Sequence, residues 1–191
     1  MTLTAERLVA ELEVRGAILS GHFRLSSGRH SNRFVQKFRM LEDPAFMEEV
    51  VATLLAAMPP LDVACVVSAA GGGIVLGYEC ARQLGTRAIF VEKEGGEPRL
   101  RRGFAVDPGD RVLVVEDVVT TGLSIREVIA VVRAHGGEPA AVGVLVARAA
   151  VDVGAPVYAV LDMPIASFEP DACPQCAAGD PITEPGSRFL R

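Results

Sequence analysis

The chain has little lysine, little cysteine and no long apolar run, and each shortage argues against certain classes of protein. Only two of its nineteen basic residues are lysine, Lys37 and Lys93, and the formal net charge is -5, which argues against nucleic acid as the main partner. Four cysteines are too few for a disulfide scaffold. No apolar run approaches the roughly 20 residues that cross a bilayer. With a charged N-terminus unlike a signal or transit peptide, we expect one domain in a reducing cytoplasm.

Two common phosphate-binding motifs are also missing. Gly71, Gly72 and Gly73 follow a predicted strand, but no glycine lies three residues beyond them to complete G-x-G-x-x-G. The sequence has no G-x-x-x-x-G-K-[ST] loop either, which excludes an ordinary P-loop nucleotidase. The triple glycine would let backbone N–H groups approach a ligand closely, but a tight turn from strand to helix needs glycine in any case.

The segment VLVVEDVVTTGLS at 112–124 carries the strongest functional signal. Its apolar residues predict a strand buried on both faces, Glu116 and Asp117 come next, and the loop 120–124 opens a periodic helix. Open α/β sheets bind ligands at the carboxyl ends of their strands, and a helix N-terminus binds anions. We therefore expect the acids to bind sugar hydroxyls or a hydrated metal, and the loop to bind a phosphate.

Two other interpretations of this segment are weaker. Four apolar residues followed by an acid also describe a Walker B strand, which holds magnesium, but the matching phosphate loop is missing. If the two acids merely ended a strand, the TTGLS loop would remain unexplained.

Strands that alternate with helices from residue 63 onward predict an α/β fold with a parallel sheet flanked by helices. We expect one domain over 1–191. A helix and a hairpin at 1–42 would cover the site, 43–161 would form the core, and 162–191, with five prolines, would be an irregular tail with at most a short terminal strand. The hairpin is either a solvated edge element or a flap over a charged ligand.

The charged segment at 92–103 has no apolar periodicity and predicts an exposed mobile loop. It is either a solvated connection or a lid that brings Lys93 and several arginines onto an anion.

Cys173 and Cys176 have the C-x-x-C spacing of half a zinc site, but the sequence has no second such pair. Cys65 and Cys80 fall in predicted core elements, where thiols pack. We therefore expect ordinary thiols in the tail, with a redox or metal role as the alternative. No histidine matches a metal-ligand spacing or receives a catalytic role; the three are His22, His30 and His135.

The segment at 112–124 resembles the phosphoribosyl pyrophosphate (PRPP) signature of the type I phosphoribosyltransferases, which is long and specific. Other parts resemble the orotate-using members of that family, and the resemblance covers nearly the whole chain. GHFRLSSGRHS at 21–31 resembles their substrate-covering segment, 68–74 their pyrophosphate loop and 92–104 their mobile catalytic loop. CPQC at 173–176, followed by PGSR at 185–188, also occurs in their short members.

The resemblance implies a role for each matching residue. Glu116 and Asp117 would hydrogen-bond the ribose hydroxyls, Thr120 and Arg148 would contact orotate, and Lys93 and Asp117 would be catalytic. Phe34 and Val35 would lie near the pyrimidine ring. The full set implied to bind PRPP is Lys93, Glu116, Asp117, Val118, Val119, Thr120, Thr121, Gly122, Leu123 and Ser124.

The chain departs from the family pattern in its lysines. The family's catalytic loop usually carries several lysines and a histidine, whereas this one has only Lys93 followed by arginines. Lysines are also common in the family where this chain has the triple glycine and Ser26. The roles of these lysines must therefore be lost or be taken over by arginine.

The implied reaction transfers ribose 5-phosphate from PRPP to orotate in pyrimidine biosynthesis. The resemblance further implies Mg²⁺ held through PRPP rather than directly by protein, a homodimer with shared active sites, and no nucleic-acid or membrane partner. A purine-type phosphoribosyltransferase is one alternative, although Arg148 suits a base with a carboxylate. A PRPP-sensing regulator on the same fold is another, although the net charge of -5 does not favour DNA binding.

Overall fold

The middle of the chain alternates strands and helices, as the sequence predicts. The computed structural model describes residues 3–25 and 27–184, so Ser26 and the PGSR motif at 185–188 lie outside it. The helices are α1 Ala5–Val14, α2 Phe38–Leu41, α3 Pro44–Ala56, α4 Gly72–Leu84, α5 Leu123–Ala134 and α6 Pro174–Ala177, with a 3-10 turn at Pro170–Ala172. The strands are β1 Ile18–Arg24, β2 His30–Val35, β3 Cys65–Ala69, β4 Arg87–Glu94, β5 Glu97–Leu100, β6 Arg111–Val119, β7 Glu138–Ala147 and β8 Val157–Asp162.

A six-stranded sheet forms the centre, in the order β5-β4-β3-β6-β7-β8. Its neighbouring strands are parallel except β4 and β5, which form an antiparallel hairpin at one edge. The chain continues from β3 through α4 to β4 on one side, and from β6 through α5 to β7 on the other. The connections therefore diverge between β3 and β6, and open α/β sheets bind ligands at such a switch point. The predicted fold class is confirmed.

Local sequence signals explain where several helices begin and end. The Thr4 hydroxyl accepts the backbone N–H of Arg7 at 3.2 Å and caps α1. The Asp43 carboxylate accepts two backbone N–H groups at the start of α3, where Pro44 takes the first helical position. Helix α4 ends at Gly85, whose φ of 68° is in the left-handed region that glycine adopts without strain.

Helices cover both faces of the sheet, which explains its nearly continuous apolar strands. Successive strand residues point to opposite faces. Val66 and Leu113 thus pack in the cluster that contains α3 and α4, whereas Val67 and Val114 pack in the cluster that contains α5. Each such fully buried side chain contributes about 1.5–3 kcal/mol of transfer free energy.

The N-terminal hairpin β1–β2 is a separate two-stranded sheet, and the C-terminal tail completes it. Thr183 bridges Phe23 in parallel, and Phe168 bridges His30 in antiparallel orientation. His30 and Phe168 exchange two backbone hydrogen bonds of 2.8 Å. The tail is irregular, as predicted, apart from the 3-10 turn and the short α6. It contributes isolated bridges rather than a terminal strand to the described residues.

The prediction of a mobile loop at 92–103 is wrong for most of the segment, which forms the β4–β5 hairpin. Gly95 and Gly96, with left-handed φ of 59° and 91°, make its two-residue turn. Gly-Gly between two extended runs is itself a hairpin signal, and Pro98 is tolerated because β5 is an edge strand. The hairpin was missed because its charged residues do not alternate with apolar ones.

Strand β6 also extends further than predicted. The sequence placed Glu116 and Asp117 after the strand, but β6 continues to Val119 and pairs with β7 as far as Ala147. The two acids are therefore positioned by the sheet itself. Within the described part of the chain, no helix combines the length and apolarity that crossing a membrane requires.

Candidate active site

Buried polar side chains meet at the switch point between β3 and β6. Glu116 is 9% exposed and Asp117 only 2%. Ser68 on β3 is also buried, and its Oγ has no hydrogen-bond partner among the described residues. Buried polar groups are costly unless they are satisfied. Their grouping at the edge where α/β sheets bind ligands marks a candidate active site.

Lys37, just before α2, reaches Asp117 from the N-terminal segment. Its Nζ lies 2.7 Å from Asp117 Oδ2, while Oδ1 accepts the backbone N–H of Val118 at 2.7 Å. These partners offset the cost of removing the carboxylate from water. Sequence reasoning missed Lys37, although a signal existed: it is one of only two lysines in a chain that otherwise uses arginine.

Glu116 is a buried carboxyl group beside a second carboxyl group. Burial, reinforced by the charge of Asp117, raises the pKa of Glu116 to about 7. The backbone N–H of Asp117, 3.1 Å from Glu116 Oε1, and the charge of Lys37 partly oppose this shift. Near neutral pH, Glu116 can therefore either accept a hydrogen bond as a carboxylate or donate one as an acid. The carboxylate form is the one that accepts hydrogen bonds from sugar hydroxyl groups.

Asp117 explains why one position of the triple glycine, Gly72, has no side chain. A Cβ added there would lie 1.9 Å from Asp117 Oδ2 and 3.0 Å from Leu41 Cδ1. The backbone of α4 thus begins directly against the buried carboxylate. The sequence suggested that this glycine leaves room for a ligand, whereas the structure shows that it leaves room for Asp117.

The loop 120–124 leads into α5 and encloses a small cavity of about 40 Å³. Gly122 precedes α5 with a left-handed φ of 74°. Arg126 donates to the Thr121 carbonyl oxygen at 2.7 Å and so holds the loop. The first N–H groups of a helix have no intrahelical acceptor and attract an anion. The cavity is lined by Glu116, Val118, Val119, Thr120, Thr121, Gly122, Leu123, Ser124 and Ile125.

A larger cavity of about 370 Å³ shares Thr120 and Thr121 with the small one and is also lined by Arg148. The Arg148 backbone N–H donates to the Val119 carbonyl oxygen at 2.9 Å, and its Nε is buried without a hydrogen-bond partner among the described residues. Burial lowers the pKa of this guanidinium, although arginine stays charged at neutral pH. A partly buried cation beside an open cavity suits a carboxylate ligand.

The hairpin and the tail supply the remaining walls of the larger cavity. Leu25, Ser27 and Arg29 belong to the segment at 21–31 that the sequence expected to cover the substrate, and Ala149 directly follows Arg148. Sequence reasoning did not select Ile165 and Ser167 of the tail, because nothing in their spacing relates them to Arg148. Phe34 and Val35 are not among the lining residues. Phe34 lies 5.9 Å from Phe23, centroid to centroid, and Val35 packs against the core.

Lys93 lies on β4 and lines a third cavity, of about 320 Å³, together with Ala70 and Ser124. Its Nζ is 2.8 Å from Glu127 Oε1 on α5. Lys93 therefore borders the space between the loop after β3 and the start of α5. Two arginines near it are engaged within the hairpin region: Arg101 Nη2 lies 3.2 Å from Glu94 Oε1, and Arg102 Nη2 lies 3.1 Å from Glu92 Oε2.

The fold and the site match a known enzyme class. A family model described as a phosphoribosyl transferase domain matches residues 57–161, more than half of the chain. This range contains both halves of the switch point, including the acids and the loop 120–124. The chain belongs to the phosphoribosyl transferase family.

Similar proteins narrow the class further. The chain is 48% identical to orotate phosphoribosyltransferase of Pelotomaculum thermopropionicum over 98% of its length and all of that relative. It is 44% identical to the Desulforamulus reducens enzyme of that name, with the same coverage. The crystal structure of orotate phosphoribosyltransferase from Aeropyrum pernix aligns with a TM-score of 0.70 and 30% identity, covering 80% of this chain and 92% of that one. Within its family, the chain thus belongs with the orotate phosphoribosyltransferases.

Proposed function

We propose that this chain transfers the ribose 5-phosphate group of PRPP to orotate, giving orotidine 5'-phosphate and diphosphate in de novo pyrimidine (UMP) biosynthesis. One observation carries the choice of base: Arg148, whose buried Nε has no hydrogen-bond partner among the described residues, lines the same cavity as Thr120 of the phosphate loop. Orotate differs from uracil by a carboxylate, and a guanidinium can bind a carboxylate through two parallel hydrogen bonds. Membership of the family supports the proposal.

The sugar phosphate would span the small cavity and the two acids. The loop 120–124 would bind the 5-phosphate through backbone N–H and hydroxyl groups, because these donors surround the cavity at the start of α5. Glu116 and Asp117 would hold the ribose hydroxyls. Since β6 fixes both the acids and the loop, the ribose would be oriented at two points along its length, which is what a displacement at its anomeric carbon requires.

The reaction would be a displacement at the anomeric carbon of PRPP. Orotate N1 forms the new bond while the bond to diphosphate breaks, and inversion converts the α-linkage to a β-nucleotide. The transition state should resemble an oxocarbenium ion. The protein must therefore hold the leaving group and exclude water. Lys93, which borders the cavity beside the loop after β3, would bind the departing diphosphate. Asp117 would help stabilise the developing positive charge on the ribose.

Mg²⁺ is the metal that the family implies, and the donors present fit it. Glu116 and Asp117 offer the oxygen ligands that magnesium prefers. However, Asp117 Oδ2 already pairs with Lys37, so the carboxylates would hold the ion through the ribose hydroxyls rather than directly. When bound, magnesium neutralises the charge that develops on diphosphate.

The remaining parts of the proposal concern assembly and location. The family's catalytic loop reaches the neighbouring subunit's site. We therefore propose a homodimer in which the β4–β5 hairpin and the residues after it contribute to the active site of the other subunit. We also propose a cytoplasmic enzyme whose partners are PRPP and orotate, without nucleic acid or a membrane. The exposed Lys93–Glu127 ion pair is weak, so Lys93 can exchange Glu127 for a diphosphate oxygen.

The direct test supplies the purified chain with orotate, PRPP and magnesium. Loss of orotate's ultraviolet absorbance that requires PRPP would support the proposal. Consumption of adenine or hypoxanthine with orotate untouched would favour a purine-type enzyme instead. Binding of PRPP without turnover of any base would favour a PRPP-sensing regulator.

A further inference from the structure

Two histidines of the hairpin and two cysteines of the tail meet in space. His22 on β1, His30 on β2, Cys173 and Cys176 each place a potential ligand atom within 4.8 Å of the other three. His22, His30 and Cys173 are buried, at 4%, 4% and 2% exposure. The expectation that the histidines are scattered is therefore wrong for His22 and His30, and the alternative of a metal role for the tail thiols gains two candidate ligands. The pairing of hairpin and tail supplies the missing half of the C-x-x-C site.

The distances match a tetrahedral zinc site. Zn–N bonds of about 2.0–2.1 Å and Zn–S bonds of about 2.3 Å require N···N separations near 3.3 Å and N···S separations near 3.6 Å at tetrahedral angles. His22 Nε2 lies 3.1 Å from His30 Nδ1. Cys173 Sγ and Cys176 Sγ lie 3.5 Å and 3.7 Å from His22 Nε2, and Cys176 Sγ lies 3.2 Å from His30 Nδ1. Four of the six separations thus have the spacing that one ion would impose, and the other two are within 4.8 Å.

The surroundings orient the ligands. His22 Nδ1 lies 3.0 Å from the Asp180 carbonyl oxygen. A carbonyl can only accept, so Nδ1 carries the proton and the Nε2 lone pair faces the cluster. Metal-binding histidines are usually fixed by such a second hydrogen bond. Two thiolates would also neutralise a divalent cation, so the buried site would carry no net charge.

We propose that His22, His30, Cys173 and Cys176 form a closed, four-coordinate structural zinc site. Two imidazoles and two thiolates select zinc over magnesium or calcium, which prefer oxygen ligands. With four protein ligands, no coordination position is left for a substrate, as in structural rather than catalytic zinc sites. The ion would fasten the tail to the hairpin, and both elements line the cavity beside Arg148. The site is independent of the proposed reaction.

The test measures metal in the untagged chain, purified with a phosphine reductant and without chelators. Inductively coupled plasma mass spectrometry should find about one zinc ion per chain. Cys173→Ser and His22→Ala should lose most of it, whereas Cys80→Ala, which alters a buried thiol on α4, should keep it. Equal zinc contents in all four proteins, or no zinc after dialysis against micromolar zinc, would overturn the proposal.

A second measurement uses the wild-type chain and therefore does not require that any variant folds. Cobalt(II) added to metal-free wild-type chain should give the intense visible bands of a tetrahedral ion and a thiolate-to-cobalt charge-transfer band. Cobalt that gives only the weak bands of an octahedral ion would contradict the assignment. A Cys173–Cys176 disulfide that persists in the purified protein under reductant, detected by intact mass, would also overturn it.

Discussion

Lys37 Nζ lies 2.7 Å from Asp117 Oδ2 and joins the N-terminal segment to the buried end of β6. The two residues are 80 positions apart, and neither pattern nor spacing relates them. Asp117 is almost fully buried while Lys37 is about one-third exposed. The pair therefore gives a buried carboxylate its counter-charge from a side chain that is itself partly exposed. It links the segment that precedes α2 to the residues that would bind the ribose.

Lys37→Met should reduce both stability and PRPP affinity, because it leaves Asp117 buried without its counter-charge. The loss in unfolding free energy should fall between the ~1 kcal/mol of an exposed pair and the ~3–5 kcal/mol of a broken buried pair. Urea denaturation and calorimetric titration with PRPP measure the two effects. Arg39→Met, which removes the exposed pair with Glu42, is the matched control. Equal results for the two variants would rule out a special role for Lys37.

Gly72→Ala should weaken PRPP binding, because the new methyl group would lie 1.9 Å from Asp117 Oδ2 and force this carboxylate away from its position beside Lys37. Gly77→Ala on the same helix is the control, because its Cβ would meet Ser68 and Val115 at an ordinary 3.5 Å. Titration with PRPP, checked by circular dichroism for folding, compares them. If Gly72→Ala binds PRPP as well as Gly77→Ala does, Asp117 is not held where the structure places it.

The affinity for PRPP should fall below neutral pH because Glu116 becomes protonated. Its pKa of about 7 in the free protein means that ribose hydroxyls and magnesium, which favour the carboxylate, must displace a proton. Affinity should therefore drop by up to about tenfold per pH unit below pH 7. Glu116→Gln should lose this component and keep only that of the PRPP phosphate groups. Parallel pH profiles for the two proteins would contradict the prediction.

The same raised pKa of Glu116 predicts that stability falls as pH rises, whereas the affinity for PRPP rises. Folded Glu116 holds its proton more tightly than the unfolded chain does, so its contribution to stability falls as pH rises from about 4.5 to about 7. Glu116→Gln should therefore be more stable than wild type at pH 8, with a smaller difference at pH 5. Melting temperatures at the two pH values measure this. No pH dependence in the difference would show that Glu116 is not desolvated.

The central sheet and the phosphate loop were predictable because their information is local. Apolar strands, a capped α3 and the VLVVEDVVTTGLS segment each carry their own signal within about a dozen residues. The Lys37–Asp117 pair and the His22–Cys173 cluster were not predictable in this way. Both depend on how the hairpin and the tail lie against other elements, and backbone bridges such as His30–Phe168 leave no periodic trace in the sequence.

Lys93→Ala should slow turnover far more than it weakens PRPP binding, because Lys93 would act on the leaving diphosphate in the transition state. Loss of one such charge typically costs about 10²–10³ in turnover. Glu127→Gln, which removes the ion-pair partner of Lys93 but keeps the lysine, should retain most activity. Steady-state kinetics and PRPP titrations separate these effects. Unchanged turnover in Lys93→Ala would assign the diphosphate to an arginine of the same segment.

The choice of base is the claim on which the proposed function depends most directly. One reaction should contain orotate, adenine and hypoxanthine at equal concentrations, magnesium and limiting PRPP, with the remaining bases separated by chromatography. Wild type should consume only orotate, and Arg148→Leu should consume it at least about 30-fold more slowly, since it removes the charge partner of the carboxylate. Arg133→Leu, which alters an exposed arginine bound to the Gly154 carbonyl oxygen, should behave as wild type. Consumption of a purine with orotate untouched, or full activity in Arg148→Leu, would contradict the proposed choice of orotate as the base.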